Sequence, residues 1–355
     1  MLVLGLESSC DDCSAAVVRE TGRGPELLAM TRKSQDELHG PYGGVVPELA
    51  AREHLLQLRG VIAGALAQAG VALKDIDRIA VTQGPGLVGS LLSTFSASKA
   101  MAWREGIPWV GVHHLLGHLN AARFNAPDLP FPALALLVSG GHTHLYLAAD
   151  WTHLELLQKT RDDAAGEAFD KTARMLNLGY PGGPIVDTCA RSQCVSRIPG
   201  GDAERAASRA GAPFTPPKFR DGLASWSFSG LKTAVKMRIQ AEAGLAEAGA
   251  GDPRVQALCR SLQETVTAWL MKPVAAFRDE TGARSLVVSG GVACNSELRA
   301  QAGITAGRLG LALAIPEPRF CTDNGAMIAA AGAMLAPSAR PWAMNADPNL
   351  PLKEE

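Results

Sequence analysis

The chain has 355 residues, 47% of them apolar and only 5% aromatic, and its 34 basic and 35 acidic side chains leave a formal net charge of −1. That length exceeds what one hydrophobic core fills, so two domains are expected; the 37 glycines and 22 prolines point to a compact α/β protein rich in tight loops. The balanced charge excludes a protein that holds nucleic acid by phosphate neutralisation alone: such a partner would need a local basic patch or helper proteins.

The opening MLVLGLESSCDD has a five-residue apolar core before two aspartates, too short for a signal peptide. No apolar run reaches the ~18–20 residues that span a bilayer, so a cytoplasmic protein with no membrane partner is expected. Seven scattered cysteines read as reduced thiols. Cys10 and Cys13 form a C-x-x-C, but a strand rather than a helix follows and no second pair completes a zinc ribbon, so they read as incidental.

In chain order, LVLGLE, SSCDDC and SAAVV predict strand, polar turn and strand. Residues 45–69 carry apolar positions at helical spacing. RIAVT (78–82) predicts a strand, followed by the loop QGPGLVGS and a helix over about 90–104; WVGV (109–112) is a further strand. PALALLVSGGHTHLYLAA (132–149) repeats the opening design of buried strand, glycine turn and returning strand. In SLVVSGGVACNSELRA (285–300) the same turn feeds a helix. Val-Ser-Gly-Gly therefore occurs twice, at 138–141 and 288–291, an echo that points to related halves. Residues 191–226, rich in Arg, Pro and Gly, read as an irregular insertion. The tail after Pro337 reads as poorly ordered.

Several stretches carry chemistry. Ser139-Gly140-Gly141 and Ser289-Gly290-Gly291 follow apolar strands, where glycine lets backbone N–H groups converge on an anion; with the polar hairpin Ser8–Asp12 they read as phosphate-cradling turns. Gly84-Pro85-Gly86-Leu87-Val88-Gly89 matches a dinucleotide-binding G-x-G-x-x-G, but the next strand ends in His113-His114 instead of the acidic residue that would hold a ribose. Asp163, Glu167 and Asp170, at i, i+4 and i+7 of an expected helix over 162–176, would share one face. That is either a solvated face or, beside the turn YPGGP (180–184), an acceptor for sugar hydroxyls.

Residues 112–124, VHHLLGHLNAARF, hold three of the eight histidines. On a helix His114 and His118 point the same way while His113 is rotated off. They are either buried, hydrogen-bonded imidazoles or two ligands for Zn²⁺ or Fe²⁺. A zinc protease would need H-E-x-x-H; here Leu115 follows and no base is present. A third ligand could come from Cys321-Thr322-Asp323, where Asp323 alone reads as a helix N-cap and Cys321 as a softer competitor.

Together ESSCDD, YGGVVPELAAREH, GPGLVGSLL, VHHLLGH, LLVSGGHTHL, DDAAGEAFDKTARMLNLGYPGGP, FSGLKTAV, SGGVACNSELR and PEPRFCTDNGAMIAAAG span nearly the whole chain in order. They resemble the TsaD family of tRNA N6-adenosine threonylcarbamoyltransferases, built on the actin-like ATPase fold shared with sugar kinases. The resemblance implies an α/β protein of two lobes, each a mixed sheet flanked by helices. The first lobe would be residues 1–130 completed by about 320–340, the second 131–319, with 341–355 as a tail. It implies that His114, His118 and Asp323 bind one divalent metal, Fe²⁺ or Zn²⁺. It further implies that Leu137, Val138, Ser139, Gly140, Gly141, Asp170, Gly183, Asp187 and Asn295 hold an adenine nucleotide: threonylcarbamoyl-AMP as substrate, or ATP or ADP with Mg²⁺. Asp11 matches an acidic position near the reaction centre. The implied partners are tRNA and TsaB-like and TsaE-like proteins. The chain departs from the family at Asp12 and Cys13, where Glu and Thr are common, which leaves the role of Asp12 open. A small-molecule kinase and a non-enzymatic, ATP-driven scaffold are the rival readings of the same fold.

Overall fold

The computed structural model describes residues 1–192, 213–215 and 225–352. The chain begins with β1 (Leu2–Glu7), β2 (Cys13–Thr21) and β3 (Gly24–Lys33), then α1 (Pro47–Ala69), β4 (Arg78–Gly84), α2 (Val88–Glu105), β5 (Trp109–His113) and α3 (His114–Asn120). Next come β6 (Ala133–Val138), β7 (Thr143–Ala148), β8 (Leu154–Lys159), α4 (Ala165–Met175), α5 (Gly182–Arg191), α6 (Ser229–Ala241) and α7 (Pro253–Thr281). The chain continues through β9 (Ser285–Ser289), α8 (Ser296–Leu309) and β10 (Ala312–Ala314), and α9 (Gly325–Met334) follows.

The strands form two five-stranded sheets with orders β3-β2-β1-β4-β5 and β10-β9-β6-β7-β8. Read from the central strand outward they are the same topology. β1 pairs antiparallel with β2 and parallel with β4, just as β6 pairs antiparallel with β7 and parallel with β9. The expected relation between halves is real, but the Val-Ser-Gly-Gly echo is not its marker. Its two copies end β6 and β9, which are neighbours in one sheet (Leu137 opposite Ser289).

Period-2 burial explains the layering. Leu4 and Leu6 of β1 face a core with α1 and α2. Val3, with Ala16, Val18 and Ala80 of the neighbouring strands, faces α9. In the second sheet Leu134, Leu136 and Val138 pack against α4, α5 and α7, whereas Ala133, Ala135 and Leu137 face Leu115, Leu116 and Leu119 of α3. Each of those buried leucines contributes about 1.5–3 kcal/mol. Thus α3 leaves the first sheet to cover the second, and α9 returns from the second to cover the first. The two helices meet between the lobes. The close approach needs small residues: a Cβ on Gly5 would stand 2.1 Å from the Gly325 carbonyl oxygen, and one on Gly117 would stand 2.8 Å from Ile328.

One expectation changes. The segment after Pro337 is a docked strap: the Asp347 amide donates to the Gln83 carbonyl (2.9 Å), the Gly86 amide to the Pro348 carbonyl (3.1 Å), and Met344 and Ala346 pack on the first core. The expected irregular stretch 191–226 lies largely outside the described residues.

Candidate functional site

β5 runs straight into α3, so His114 and His118 sit on its first turns, buried between the lobes. Asp323 arrives from the other side, at the start of α9. Ligating atoms of His114, His118 and Asp323 all lie within 4.8 Å of one another. The Asp323 Oδ1 is 3.2 Å from His118 Nε2 and 3.6 Å from His114 Nε2. The helix N-cap is Asn324, whose side chain accepts from the Met327 amide (2.9 Å); the capping role that sequence gave Asp323 falls one residue later and leaves the carboxylate free. Cys321 is not part of the cluster: its thiol is buried and turned to the Pro316 carbonyl (3.3 Å).

A divalent cation fits these residues. The buried His118 ring faces only the Asp323 carboxylate through Nε2 and has no partner at Nδ1 among the described residues, a costly state that a metal ligand relieves. Two imidazoles and one carboxylate also match the donor set of open Zn²⁺ or Fe²⁺ sites, which keep positions for substrate. Burial presses the His114 imidazole down, but the Asp323 and Glu7 carboxylates outweigh it and raise the group to about 9. Burial also presses Asp323 upward, against His114 and His118, which hold its carboxyl well below the usual carboxylate range. Burial lowers His118.

The β1–β2 turn brings further carboxylates to the same place. Burial raises Asp11, and the Asp323 charge adds to it. Burial takes Asp12 up to about 8 against the Arg32 guanidinium, whose Nε is 3.5 Å away.

Across the cleft, the β6–β7 turn is built by Ser139, whose hydroxyl accepts from the His142 amide (3.1 Å) while its own amide donates to the His142 carbonyl (2.8 Å). Nothing stands within 4 Å of where a Cβ would project from Gly140 or Gly141. Leu137 and Val138 are fully buried in β6, so only their backbone is available. Asp170 accepts from the Gly182 amide (2.8 Å), and the Gly183 amide also bonds its carboxylate. Asp187 accepts from the Ser296 amide (3.1 Å) and hydroxyl (2.5 Å), and Asn295 caps α8 through the Leu298 amide (3.0 Å). The last two therefore fix the entrance to α8 as well as bordering the turn.

The sequence matches the family model described as "TsaD: tRNA N6-adenosine threonylcarbamoyltransferase" over residues 26–330. The chain belongs to the TsaD family. A relative from Pelobacter propionicus named tRNA N6-adenosine threonylcarbamoyltransferase is 46% identical over 94% of this chain and 91% of its own. One of the same name from Desulfitobacterium hafniense is 43% identical over 99% and 97%. Among solved structures, component A of (R)-2-hydroxyglutaryl-CoA dehydratase from Acidaminococcus fermentans superposes with a TM-score of 0.52 at 13% identity, covering 94% of this chain and 98% of that one. Full-length HypF in its phosphate- and nucleotide-bound form also gives 0.52, at 10% identity, over 94% and 54%. These last two likenesses concern the fold, which is the two-lobed actin-like ATPase fold.

Within the TsaD signature stretches, the sequence reading of residues 162–176 changes. The helix expected over 162–176 begins at Ala165, so Asp163 lies outside it. Asp163 and Glu167 both pair with Lys171, and Lys232 adds a 2.8 Å contact to Asp163; only Asp170 is turned to the glycine turn. The G-x-G-x-x-G loop is filled by the chain itself: a Cβ on Gly84 would stand 1.8 Å from the Asp347 carbonyl oxygen, and the Leu87 amide donates to Ser9 (2.7 Å). The Gly86 and Leu87 amides are therefore taken.

Two residues near the centre were not singled out by sequence. Glu7, fully buried at the end of β1, has Oε2 3.1 Å from His114 Nδ1 and accepts from the Thr82 hydroxyl (2.6 Å). This is the carboxylate–histidine arrangement that fixes the tautomer of a metal ligand and leaves Nε2 for the ion. His142, in the β6–β7 turn, has its ring centroid 6.1 Å from that of His114. Burial, then the His114 charge, lowers it to about 3, which keeps it neutral. A lone Glu at the end of a hydrophobic strand was the available signal for the first.

Proposed function

We propose that the chain transfers a threonylcarbamoyl group from threonylcarbamoyl-AMP to N6 of the adenosine at position 37 of tRNAs reading codons that begin with A, in the cleft between α3, Asp323 and the Ser139–Gly141 turn. The observation that carries the reading is the convergence of His114, His118 and Asp323, with Asp11 on the adjoining hairpin, in a member of this family. A Zn²⁺ or Fe²⁺ ion held by His114, His118 and Asp323 would supply Lewis-acid polarisation of the donor carbonyl.

The chain's own residues account for the rest. The open Gly140–Gly141 backbone admits the adenylate phosphate close to amide donors, while Asp170, Gly183, Asp187 and Asn295 border the place for its ribose and base. N6 is a weak nucleophile because its lone pair is delocalised into the purine, so orientation and electrostatics dominate the acceleration. Asp11, whose proton affinity burial raises, would accept the N6 proton as the N–C bond forms and AMP leaves.

The near-zero net charge supports weak tRNA binding by this chain alone and a need for TsaB-like and TsaE-like partners. No described helix is long and apolar enough to cross a membrane, in keeping with action on tRNA in the cytoplasm. The test is mass spectrometry of tRNA nucleosides after incubation with threonylcarbamoyl-AMP, beside a parallel incubation with ATP and small hydroxylic acceptors. Threonylcarbamoyladenosine in the first and no phosphorylated acceptor in the second is expected. The reverse pattern would install the kinase reading, and nucleotide-dependent partner binding without transfer would install the scaffold.

A further inference from the structure

A second cleft lies beside the centre and is used by none of the residues assigned above except Asp170. It is a cavity of about 280 Å³ between the loop before α1 and the α4–α5 region, lined by Tyr42 and Gly43 on one side and by Asp170, Arg174, Asn177 and Tyr180 on the other. The chain has three tyrosines and two are here; the third, Tyr146, is buried in β7. Tyr42 is 56% exposed. Arg174 is exposed, and no hydrogen bond or ion pair engages its guanidinium among the described residues. The Gly43 backbone lies against it: a Cβ there would stand 3.1 Å from Nε, and the residue has φ +67°, so a side chain would be strained as well as crowded.

The cleft meets the site described above at Asp170, which lines it. Burial raises the Tyr180 phenol, and the charges of Asp11 and Asp170 raise it further; Tyr180 and Asp170 line the same cleft. Ser139, Gly140, Gly141, Gly183, Asp187 and Asn295 do not line it. The volume falls just below the ~300–1,000 Å³ of ordinary small-molecule pockets, so it suits one splayed-out nucleotide and not a helix.

We propose that this cleft is the RNA subsite: an unpaired nucleotide of the tRNA anticodon loop, next to the adenosine that is acylated, stacks on Tyr42 and sets its phosphate on Arg174. Aromatic faces take any base without sequence readout, and an unengaged guanidinium takes a phosphate in a bidentate fork. The subsite rests on the tRNA reading above and adds where the loop is gripped. It also gives a near-neutral chain the local cation that its net charge does not supply.

The experiment uses the full, metal-loaded chain with its partner proteins. Single-turnover transfer is measured against tRNA concentration for wild type, Tyr42→Ala, Arg174→Ala and Arg174→Lys, with threonylcarbamoyl-AMP affinity and metal content measured separately. Half-saturation for tRNA is expected to rise about tenfold for Tyr42→Ala, the effect of a lost base–aromatic stack. Arg174→Ala should weaken tRNA binding and lower the log–log salt slope by about 1, and Arg174→Lys should restore part of the loss. Donor affinity should stay within twofold throughout. Unchanged tRNA dependence in both alanine variants would overturn the subsite, as would a loss confined to donor affinity, which would assign the cleft to the adenylate. If wild type itself fails to modify tRNA, the functional reading falls; if wild type transfers and the variants match it, only the subsite falls.

Discussion

The two lobes share one topology and use it oppositely. At the end of β1, the first lobe places carboxyl groups: Glu7 against His114, then Asp11 and Asp12 in the turn. At the matching end of β6, the second lobe places a turn whose Gly140 and Gly141 face open space. The strand next to each centre differs likewise. The turn after β4 is closed by the C-terminal strap, with Gly86 donating to Pro348, whereas the turn after β9 leads into α8 with Asn295 as its cap. The repeated topology thus supplies two equivalent sets of strand ends. One carries carboxyl and imidazole groups and the other leaves its backbone open, the division a preorganised site would need.

That contrast can be broken at Glu7 with the largest effect. Glu7→Gln keeps the shape but removes the buried negative charge that orients His114. Metal affinity should fall about 10–100-fold in a competitive chelator titration, with the protein still folded by circular dichroism. Affinity within twofold of wild type would mean that His114 is positioned without it.

Paired glycine substitutions sharpen the comparison at intermediate cost. Gly86→Ala puts a Cβ 2.6 Å from the Ser9 carbonyl oxygen and should destabilise by about 1–3 kcal/mol in denaturant unfolding. Gly141→Ala meets nothing within 4 Å, so its stability should stay within about 0.5 kcal/mol while affinity for threonylcarbamoyl-AMP falls several-fold. Equal stability losses would show that both turns are structural.

A further test concerns Asp12. Its carboxyl is raised by burial to about 8, against the 3.8 taken as its ordinary value. Between about pH 4 and 8 the unfolded chain is ionised there and the folded chain holds the proton, so stability falls as pH rises through that window. In metal-free protein, Asp12→Asn should flatten this slope, most visibly near pH 8 in urea unfolding. An unchanged slope would locate the ionised form of Asp12 in the folded state.

Much of this was legible in the sequence because it is local. β1, β4, β6 and β9 follow from apolar runs that end at turns, and α3 sets His114 and His118 one turn apart by period alone. What was hidden depends on tertiary partners. β3, GPELLAMTRK, has no apolar alternation and exists because β2 pairs with it. Asp323 and Asn324 are equally good caps in isolation, and only the packing of α9 on β1 and α3 selects Asn324. The strap after Pro337 reads as a loose tail because its stability lies in backbone bonds to residues more than 200 positions earlier. The loop at Gly84–Gly89, already set apart from a dinucleotide site by His113-His114, is closed by the same long-range strap, with the Gly86 amide on the Pro348 carbonyl.

The central claim is that His114, His118 and Asp323 act as one metal centre for transfer. It is tested most directly by measuring metal content and single-turnover formation of threonylcarbamoyladenosine in the same preparations of His118→Ala and wild type. The account predicts that the variant loses the bound ion and at least about 100-fold of the transfer rate, the scale of removing one preorganised electrostatic stabiliser. A folded, metal-free His118→Ala protein that transfers at the wild-type rate would contradict it.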